Sequence, residues 1–174
     1  MNSERTRRSL ALIGTTAFLV LAPGVVAGYV PWRITHWHTG RSSPLSPVPQ
    51  AIGAILVLLG SASIVASFRR FAIQGLGTPA PPFPTRKLII SGMYQYVRNP
   101  MYVAVVAVIL GQALAFGSLR LAVYAACVWL TMHLFVLLYE EPKLRRSFGE
   151  DYEMYLTSTP RWIPAVKPTK RNKP

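Results

Sequence analysis

Residues 98–142 read RNPMYVAVVAVILGQALAFGSLRLAVYAACVWLTMHLFVLLYEEP, a stretch with two apolar segments and a short break between them. The first segment runs from Met101 to Phe116 and the second from Leu121 to Leu138, and Gly117-Ser118 lies in the break. A break of a few residues between two helical segments predicts an antiparallel helical hairpin. The start of the first helix should therefore lie beside the end of the second.

Polar residues lie at this open end of the hairpin. Asn99-Pro100 predicts the start of the first helix, because asparagine is a good N-cap and proline suits the first helical position. The polar stretch Ser91–Tyr102 leads into that helix, and Glu140-Glu141 follows the second. We expect both patches to meet at one face of a membrane.

The composition is that of a membrane protein. The chain has 174 residues, of which 51% are hydrophobic and only 14% charged, with a mean hydropathy of +0.31. Soluble domains carry about 25% charged residues. The net charge is +13, but the basic residues flank apolar runs, which favours contact with anionic lipid over nucleic-acid binding. Because Cys127 is the single cysteine, no intrachain disulfide is possible.

Two further apolar runs precede the hairpin. Leu10–Val30 has 21 residues without a charge, which is enough to cross a bilayer, and Ala51–Phe68 follows after a loop predicted over Pro31–Pro49. A cleaved signal peptide is the alternative for the first run, although its apolar region is long for one. In the second run, Gly53, Gly60 and Ser61 predict close helix packing. The fold class predicted is all-α: a multi-pass integral membrane bundle of about four transmembrane helices with a cytoplasmic amphipathic helical tail.

This pattern predicts three regions and one orientation. Residues 1–70 hold an N-terminal transmembrane pair, 71–164 the core with the hairpin and tail, and 165–174 a basic disordered end. Of the 19 lysines and arginines, all but Arg33, Arg41 and Arg120 lie on one side of the predicted spans. The positive-inside rule places that side in the cytoplasm, with both termini and the polar patches. We therefore expect a multi-pass protein of the cell membrane.

Ionisable residues at a span mark function by default. Glu140 and His133 are seven residues apart and should share a helical face, whereas Glu141 is rotated away by about 100°. Two carboxylates at a helix C-terminus oppose the helix dipole, so a cation such as Arg98 or a bound ligand should offset them. An ion pair with Lys143 or Arg145 at the interface is the structural alternative.

The other side of the hairpin suits an anion. Free backbone N–H groups at the first helix start, together with Arg98 and Lys87, favour a carboxylate. Tyr94, Tyr96 and Tyr102 supply aromatic surface, although interfacial tyrosines are common in membrane proteins. A zwitterionic nucleotide that carries an amino acid would satisfy the anion site, the cation site and the aromatic surface.

Four motifs then carry a family resemblance. SGMYQYVRNPMY at 91–102, EEPKL from Glu140, FGEDY at 148–152 and PRWIP at 160–164 resemble the isoprenylcysteine carboxyl methyltransferase family. That family belongs with the phospholipid methyltransferases, integral membrane enzymes that use S-adenosylmethionine. The resemblance covers about Gly75–Pro164, roughly half of the chain.

The resemblance implies a donor site between the hairpin ends and the tail. The cofactor-binding residues it implies are Arg86, Lys87, Leu88, Ile89, Tyr94, Asn99, Pro100, Met101, Tyr102 and Glu140. Arg98 and Glu140 are the catalytic candidates, and His133, Glu141 and Trp162 are candidates for substrate contact. Methyl transfer needs no metal, and the partners expected are a lipophilic or small acceptor and membrane lipids, with no nucleic acid and no obligate protein partner.

Two positions differ from the family pattern. Asn99 stands where many relatives have histidine, which argues against a proton-transfer role there. Val136 stands where the eukaryotic enzyme has an arginine for the substrate carboxylate, so prenylcysteine should be a poor acceptor. The sequence leaves the acceptor open between prenylcysteine, a phospholipid amine, a small thiol and another isoprenoid. The sequence also leaves open two other classes of function: a non-enzymatic membrane protein and a sterol-reductase-like enzyme with a nicotinamide cofactor.

Overall fold

The computed structural model describes residues 21–38, 47–74, 88 and 90–168, and for 71–74 it describes the backbone alone. Helices dominate these ranges, and no β-strand occurs in them, so the all-α prediction is confirmed. We number the helices α1 (21–35), α2 (Pro47–Gln74), α3 (Pro100–Phe116), α4 (Leu119–Phe148) and α5 (Glu150–Ser158). A short 3-10 turn, Gly92–Gln95, precedes α3.

Two of these helices are long and apolar enough to cross a membrane. They are Pro47–Arg70 within α2 and the whole of α4, whereas α3 is a shorter apolar helix of 17 residues. Their outward faces expose large apolar side chains, such as Leu58 and Leu59 on α2 and Leu138 on α4. Such faces suit lipid rather than water. A count of four spans stays a prediction, because α1 is described only from residue 21.

The centre of the bundle is α3, which packs against α1, α2 and α4. Val105, Val108 and Ile109 of α3 are buried in one core with Ile64 and Phe68 of α2. Ala27 of α1 and Ala125 of α4 belong to the same core, so packing holds α3 from several sides together with the polar residues at its start.

The predicted hairpin is confirmed, and so is its turn. Gly117 ends α3 in the left-handed conformation with φ 59°, which glycine adopts without strain. Ser118 then caps α4, because its Oγ accepts a hydrogen bond from the Leu121 N–H at 3.4 Å.

Close packing of α2 on α3 depends on glycine. A Cβ atom at Gly53 would lie 2.5 Å from the Gly111 carbonyl oxygen, and one at Gly60 would lie 2.7 Å from Cγ2 of Val108. Both glycines therefore let the helices approach closely, as the sequence predicted. The same prediction for Ser61 is wrong, because Ser61 is exposed.

Substitution of Gly53 by alanine should destabilise the bundle by about 1–3 kcal/mol, the usual range for overpacking. The added methyl group meets backbone atoms of α3, which cannot rotate away. Gly28→Ala is the matched control, because a Cβ there meets nothing within 4 Å. Thermal unfolding in detergent measures both. Equal unfolding temperatures for the two variants would contradict the close approach of α2 and α3.

Helix α1 extends beyond its predicted end. The loop predicted from Pro31 begins only after Thr35, because a π-helical turn, Val25–Tyr29, leads into an α-helical segment, Val30–Thr35. The Val30 N–H donates to the Val25 carbonyl in this wide turn, and Pro31 has no N–H to donate.

Polar side chains of the hairpin bind the carbonyl groups that this arrangement frees. The Tyr124 hydroxyl donates to the Val26 carbonyl at 2.9 Å, and Gln112 Nε2 donates to the Ala27 carbonyl at 2.7 Å. These two hydrogen bonds replace the backbone partner that a proline inside a helix cannot supply, so Pro31 is tolerated there.

Three further boundaries differ from the prediction. Helix α2 runs from Pro47 to Gln74 rather than from Ala51 to Phe68, since Pro47 suits a first helical turn. Helix α4 does not end at Leu138, because it passes through a second π-helical turn, Val136–Glu140, and continues to Phe148.

The continuation of α4 corrects two predictions about Glu140. Glu140-Glu141 lies inside a helix, so the argument from a helix C-terminus was wrong. The wide turn also adds a residue to the helical register, so the seven residues from His133 to Glu140 no longer equal two regular turns.

Candidate active site

The most connected side chain at the open end of the hairpin is Glu141. Its carboxylate accepts a hydrogen bond from Arg98 at 2.9 Å and two from Arg161, at 2.7 and 3.0 Å. The Glu141 side chain is 9% exposed and the Arg98 side chain 11% exposed, so water screens this pair little. We call this group of three residues the Glu141 clasp. The cation that the sequence predicted beside the glutamate pair is therefore Arg98, with Arg161 in addition, and not Lys143 or Arg145.

Backbone hydrogen bonds extend the clasp along the tail. The Arg98 N–H donates to the Pro160 carbonyl at 2.9 Å, and the Ala165 N–H donates to the Tyr96 carbonyl at 2.8 Å. Asn99 occupies the predicted N-cap position, but its side chain makes no cap and instead donates to the Arg161 carbonyl at 3.2 Å. The segment 159–165 is thus fastened to the turn that precedes α3.

Helix α5 holds the same turn from another side. The Tyr155 hydroxyl donates to the Tyr94 carbonyl at 2.7 Å. Burial raises the pKa of the Tyr152 phenol to about 12, with Glu141 adding to the rise and Arg98 opposing it. Tyr152 and Tyr155 are both buried, so α5 forms a wall of the site rather than a free tail.

Glu140 has a different environment from its neighbour. Its carboxylate accepts a hydrogen bond from the Tyr102 hydroxyl at 3.0 Å. Within the described ranges, no lysine, arginine or histidine nitrogen lies within 4.0 Å of it. Glu140 is half-buried, and a carboxylate in such a position is poorly stabilised without a cation beside it. The Glu140 carboxylate can therefore bind a cationic ligand.

One cation at this site was not among the sequence candidates. Arg70, near the end of α2, lies against Gly92, and its guanidinium is 3.5 Å from the Ser91 hydroxyl. Gly92 has φ 58°, and a Cβ there would overlap the guanidinium. The sequence placed Arg70 beyond the predicted end of a span and treated it only as a topology signal. The extended helix α2 is what brings it to the site.

A separate aromatic cluster includes two of the predicted substrate residues. Trp162 Nε1 donates to His133 Nδ1 at 3.0 Å, and Trp129 stacks on the His133 ring at a centroid distance of 5.1 Å. His133 and Trp162 are therefore brought together. In the described residues, no hydrogen bond or ring contact links this cluster to Glu140.

The remaining candidates fall into two groups. Leu88, Tyr94 and the residues from Asn99 to Tyr102 are described, and Tyr102 contacts Glu140 directly. Arg86, Lys87 and Ile89 lie outside the described residues. Arg98, a catalytic candidate, forms an ion pair with Glu141. Its buried Nε makes no hydrogen bond within the described part of the chain.

This arrangement can bind an organic cation beside aromatic rings in a site covered by α5 and the tail. The described residues contain no group of three or more histidine, cysteine, aspartate or glutamate side chains that could hold a metal ion. The carboxylate of Glu140, with Tyr102 as its hydrogen-bond partner, is the group best placed to contact a cation.

Comparison with known proteins gives a family. The model of the family described as phospholipid methyltransferase matches residues 48–151, more than half of the chain. Searches of curated proteins and of solved structures returned no match. The matched region includes α2 from its second residue, the hairpin and both glutamates. From this match we conclude that the chain belongs to the phospholipid methyltransferase family, which makes it a membrane methyltransferase.

Proposed function

We propose that this protein transfers the methyl group of S-adenosylmethionine to a lipophilic or small acceptor, at a site formed by Tyr94, Tyr102 and Glu140. The single observation that carries the proposal is Glu140, a half-buried carboxylate whose described partner is the neutral Tyr102 hydroxyl. Such a carboxylate suits the ammonium group of the donor's methionyl end. The family match supports a methyltransferase over a non-enzymatic protein and over a sterol-reductase-like enzyme.

The chain's residues supply position rather than covalent chemistry. Bound S-adenosylmethionine supplies a methyl group on a sulfonium, and sulfur keeps the electron pair of the broken S–CH3 bond as the acceptor's lone pair forms the new one. Glu140 and Tyr102 hold the donor, and the clasped tail keeps the site dry. Alignment and exclusion of water can account for much of the rate of such a displacement.

Donor binding tests the proposal. Isothermal titration calorimetry of the purified protein in detergent should show binding of S-adenosylmethionine and S-adenosylhomocysteine and no binding of NADPH. Membranes that contain the protein should then transfer a labelled methyl group from the donor, and the labelled product identifies the acceptor. A protein that binds NADPH, or that binds neither nucleotide, would refute the methyltransferase proposal.

We further propose an acceptor other than a prenylcysteine carboxylate. Val136 is 1% exposed and begins the π-helical turn, so its position offers no cation to a carboxylate. The purified protein should methylate a prenylcysteine analogue at less than about a tenth of the rate that it shows with its own acceptor. The reason is that loss of a charge-assisted hydrogen bond to the carboxylate weakens binding by at least about tenfold. Robust methylation of the analogue would overturn this assignment.

The site is proposed to face the cytoplasm, with both termini on that side. The carrying observation is the excess of lysine and arginine around the polar patches. Reporter fusions after Ser46 and after Pro174 should report opposite sides of the membrane, the second one cytoplasmic. A cytoplasmic signal after Ser46 would contradict this orientation.

A further inference from the structure

Arg70 is held at the site by a contact that only glycine permits. Its guanidinium lies over the backbone of Gly92, and NH1 would be 2.6 Å from a Cβ atom at that residue. The Ser91 hydroxyl lies 3.5 Å from the same nitrogen. The positive φ of Gly92 turns the chain so that its backbone makes room for the guanidinium. Arg70 is therefore a positioned side chain and not a freely moving one at the membrane surface.

This guanidinium has no carboxylate partner in the described ranges. The sequence contains six acidic residues, and all but Glu4 are described. Three of the five have described partners: Glu141 binds Arg98 and Arg161, Glu153 pairs with Arg145, and Glu140 accepts from Tyr102. Glu150 and Asp151 are exposed on α5. A half-buried guanidinium without a counter-charge favours an anion, which it can bind through two parallel hydrogen bonds.

Arg70 and Glu140 contact the same short segment, Ser91–Tyr102. Arg70 lies against Ser91 and Gly92, and Glu140 accepts a hydrogen bond from the Tyr102 hydroxyl. Burial and the nearby Glu140 carboxylate raise the pKa of Tyr94, whereas Arg70 lowers it. Both charges therefore act on Tyr94, which lies along the chain between the residues that Arg70 and Glu140 contact. A positive and a negative side chain that contact the same segment match the two charges of an amino-acid zwitterion.

Arg98, the cation that the sequence favoured for this role, is already engaged. Its NH1 binds Glu141, and that carboxylate also accepts both hydrogen bonds from Arg161. Release of Arg98 to a ligand would break the clasp and leave Glu141 with fewer partners in a buried position. Arg70 can bind an anion without breaking an ion pair among the described residues.

We propose that Arg70 binds the α-carboxylate of the donor's methionyl group while Glu140 faces its ammonium. This assignment rests on the proposed function, because it requires S-adenosylmethionine as the donor. It makes Arg70 a donor-binding residue, and it makes Gly92 the residue that fixes the position of the guanidinium.

Two ligands that differ by one carboxylate test the assignment. Calorimetry compares S-adenosylmethionine with decarboxylated S-adenosylmethionine, which keeps the ammonium and the sulfonium. The wild-type protein should bind the intact donor about 10-fold more tightly or better. Arg70→Gln should lose that preference, with weaker binding of the intact donor and unchanged binding of the decarboxylated one. Arg69→Gln is the matched control, because Arg69 is the exposed neighbour on the same helix and should keep the wild-type preference.

Each outcome decides the assignment. If Arg70→Gln binds both ligands as the wild type does, or loses affinity for both equally, Arg70 does not bind the carboxylate. An equal loss would mean that the variant disturbs the turn at Gly92, and a melting curve would show it. A wild-type protein that binds neither ligand would refute the proposed function itself. Wild-type donor binding with an unaffected Arg70→Gln would refute only the role of Arg70.

Discussion

Replacement of Glu141 by glutamine is expected to destabilise the protein by about 3–5 kcal/mol, the range for a buried ion pair that loses one partner. The variant keeps the shape of the side chain but removes the charge that two guanidiniums share. Arg98 would then be a nearly buried cation without a counter-ion, and the segment 159–165 would lose its strongest attachment to the turn before α3. Thermal unfolding in detergent measures the loss of stability, and hydrogen exchange over 159–165 measures release of the tail.

Glu153→Gln is the matched control for this variant. Glu153 pairs with Arg145 at 3.4 Å, but both side chains are more than half exposed, so the pair contributes about 0–1 kcal/mol. Its unfolding temperature should stay close to that of the wild type. If Glu141→Gln is no less stable than Glu153→Gln, the clasp does not stabilise the fold as its geometry implies.

Replacement of Glu140 by glutamine is expected to weaken donor binding by about 10–100-fold with little loss of stability. A carboxylate that binds an ammonium contributes a charge-assisted hydrogen bond of roughly 1.5–3 kcal/mol, and about 1.4 kcal/mol corresponds to tenfold in affinity. Stability should change little because the hydrogen bond from Tyr102 can persist to the glutamine carbonyl. Calorimetric titration with S-adenosylmethionine measures the affinity.

Tyr102→Phe separates the charge of Glu140 from its hydrogen bond. This variant keeps the Glu140 carboxylate and removes only the Tyr102 hydroxyl. The donor affinity should therefore fall less than it does in Glu140→Gln. Glu141→Gln, measured below its lower unfolding temperature, should also lose less donor affinity than Glu140→Gln, because its carboxylate is enclosed by arginines. A folded Glu140→Gln variant with wild-type affinity would show that Glu140 does not contact the donor.

The parts of the fold that were predicted correctly depend on local signals. Pro100 marks the start of α3 and Gly117-Ser118 its end, and each signal acts through backbone geometry or a side-chain cap within a few residues. The close packing at the glycines of the α2–α3 contact was also predictable, because a residue without a side chain lets any neighbouring helix approach closely. The helix ends that were predicted wrongly, at Pro31 and Leu138, depend on π-helical turns. The turn before Pro31 is stabilised by partners from another helix, Tyr124 and Gln112, which no local pattern reveals.

The candidate site likewise combines features that local sequence signals predict with features that depend on contacts between distant residues. The sequence by itself determined an all-helical membrane chain, the hairpin, and the meeting of the polar stretch Ser91–Tyr102 with Glu140-Glu141 at its open end, because two apolar runs joined by a short turn can only fold back on each other. Only the tertiary structure decided that Glu141 holds the tail while its neighbour Glu140 stays available, and that Arg70 lies at the site. These roles depend on Arg161, 20 residues beyond Glu141, and on Ser91, 21 residues beyond Arg70. Contacts between such distant residues form only when the whole bundle has folded.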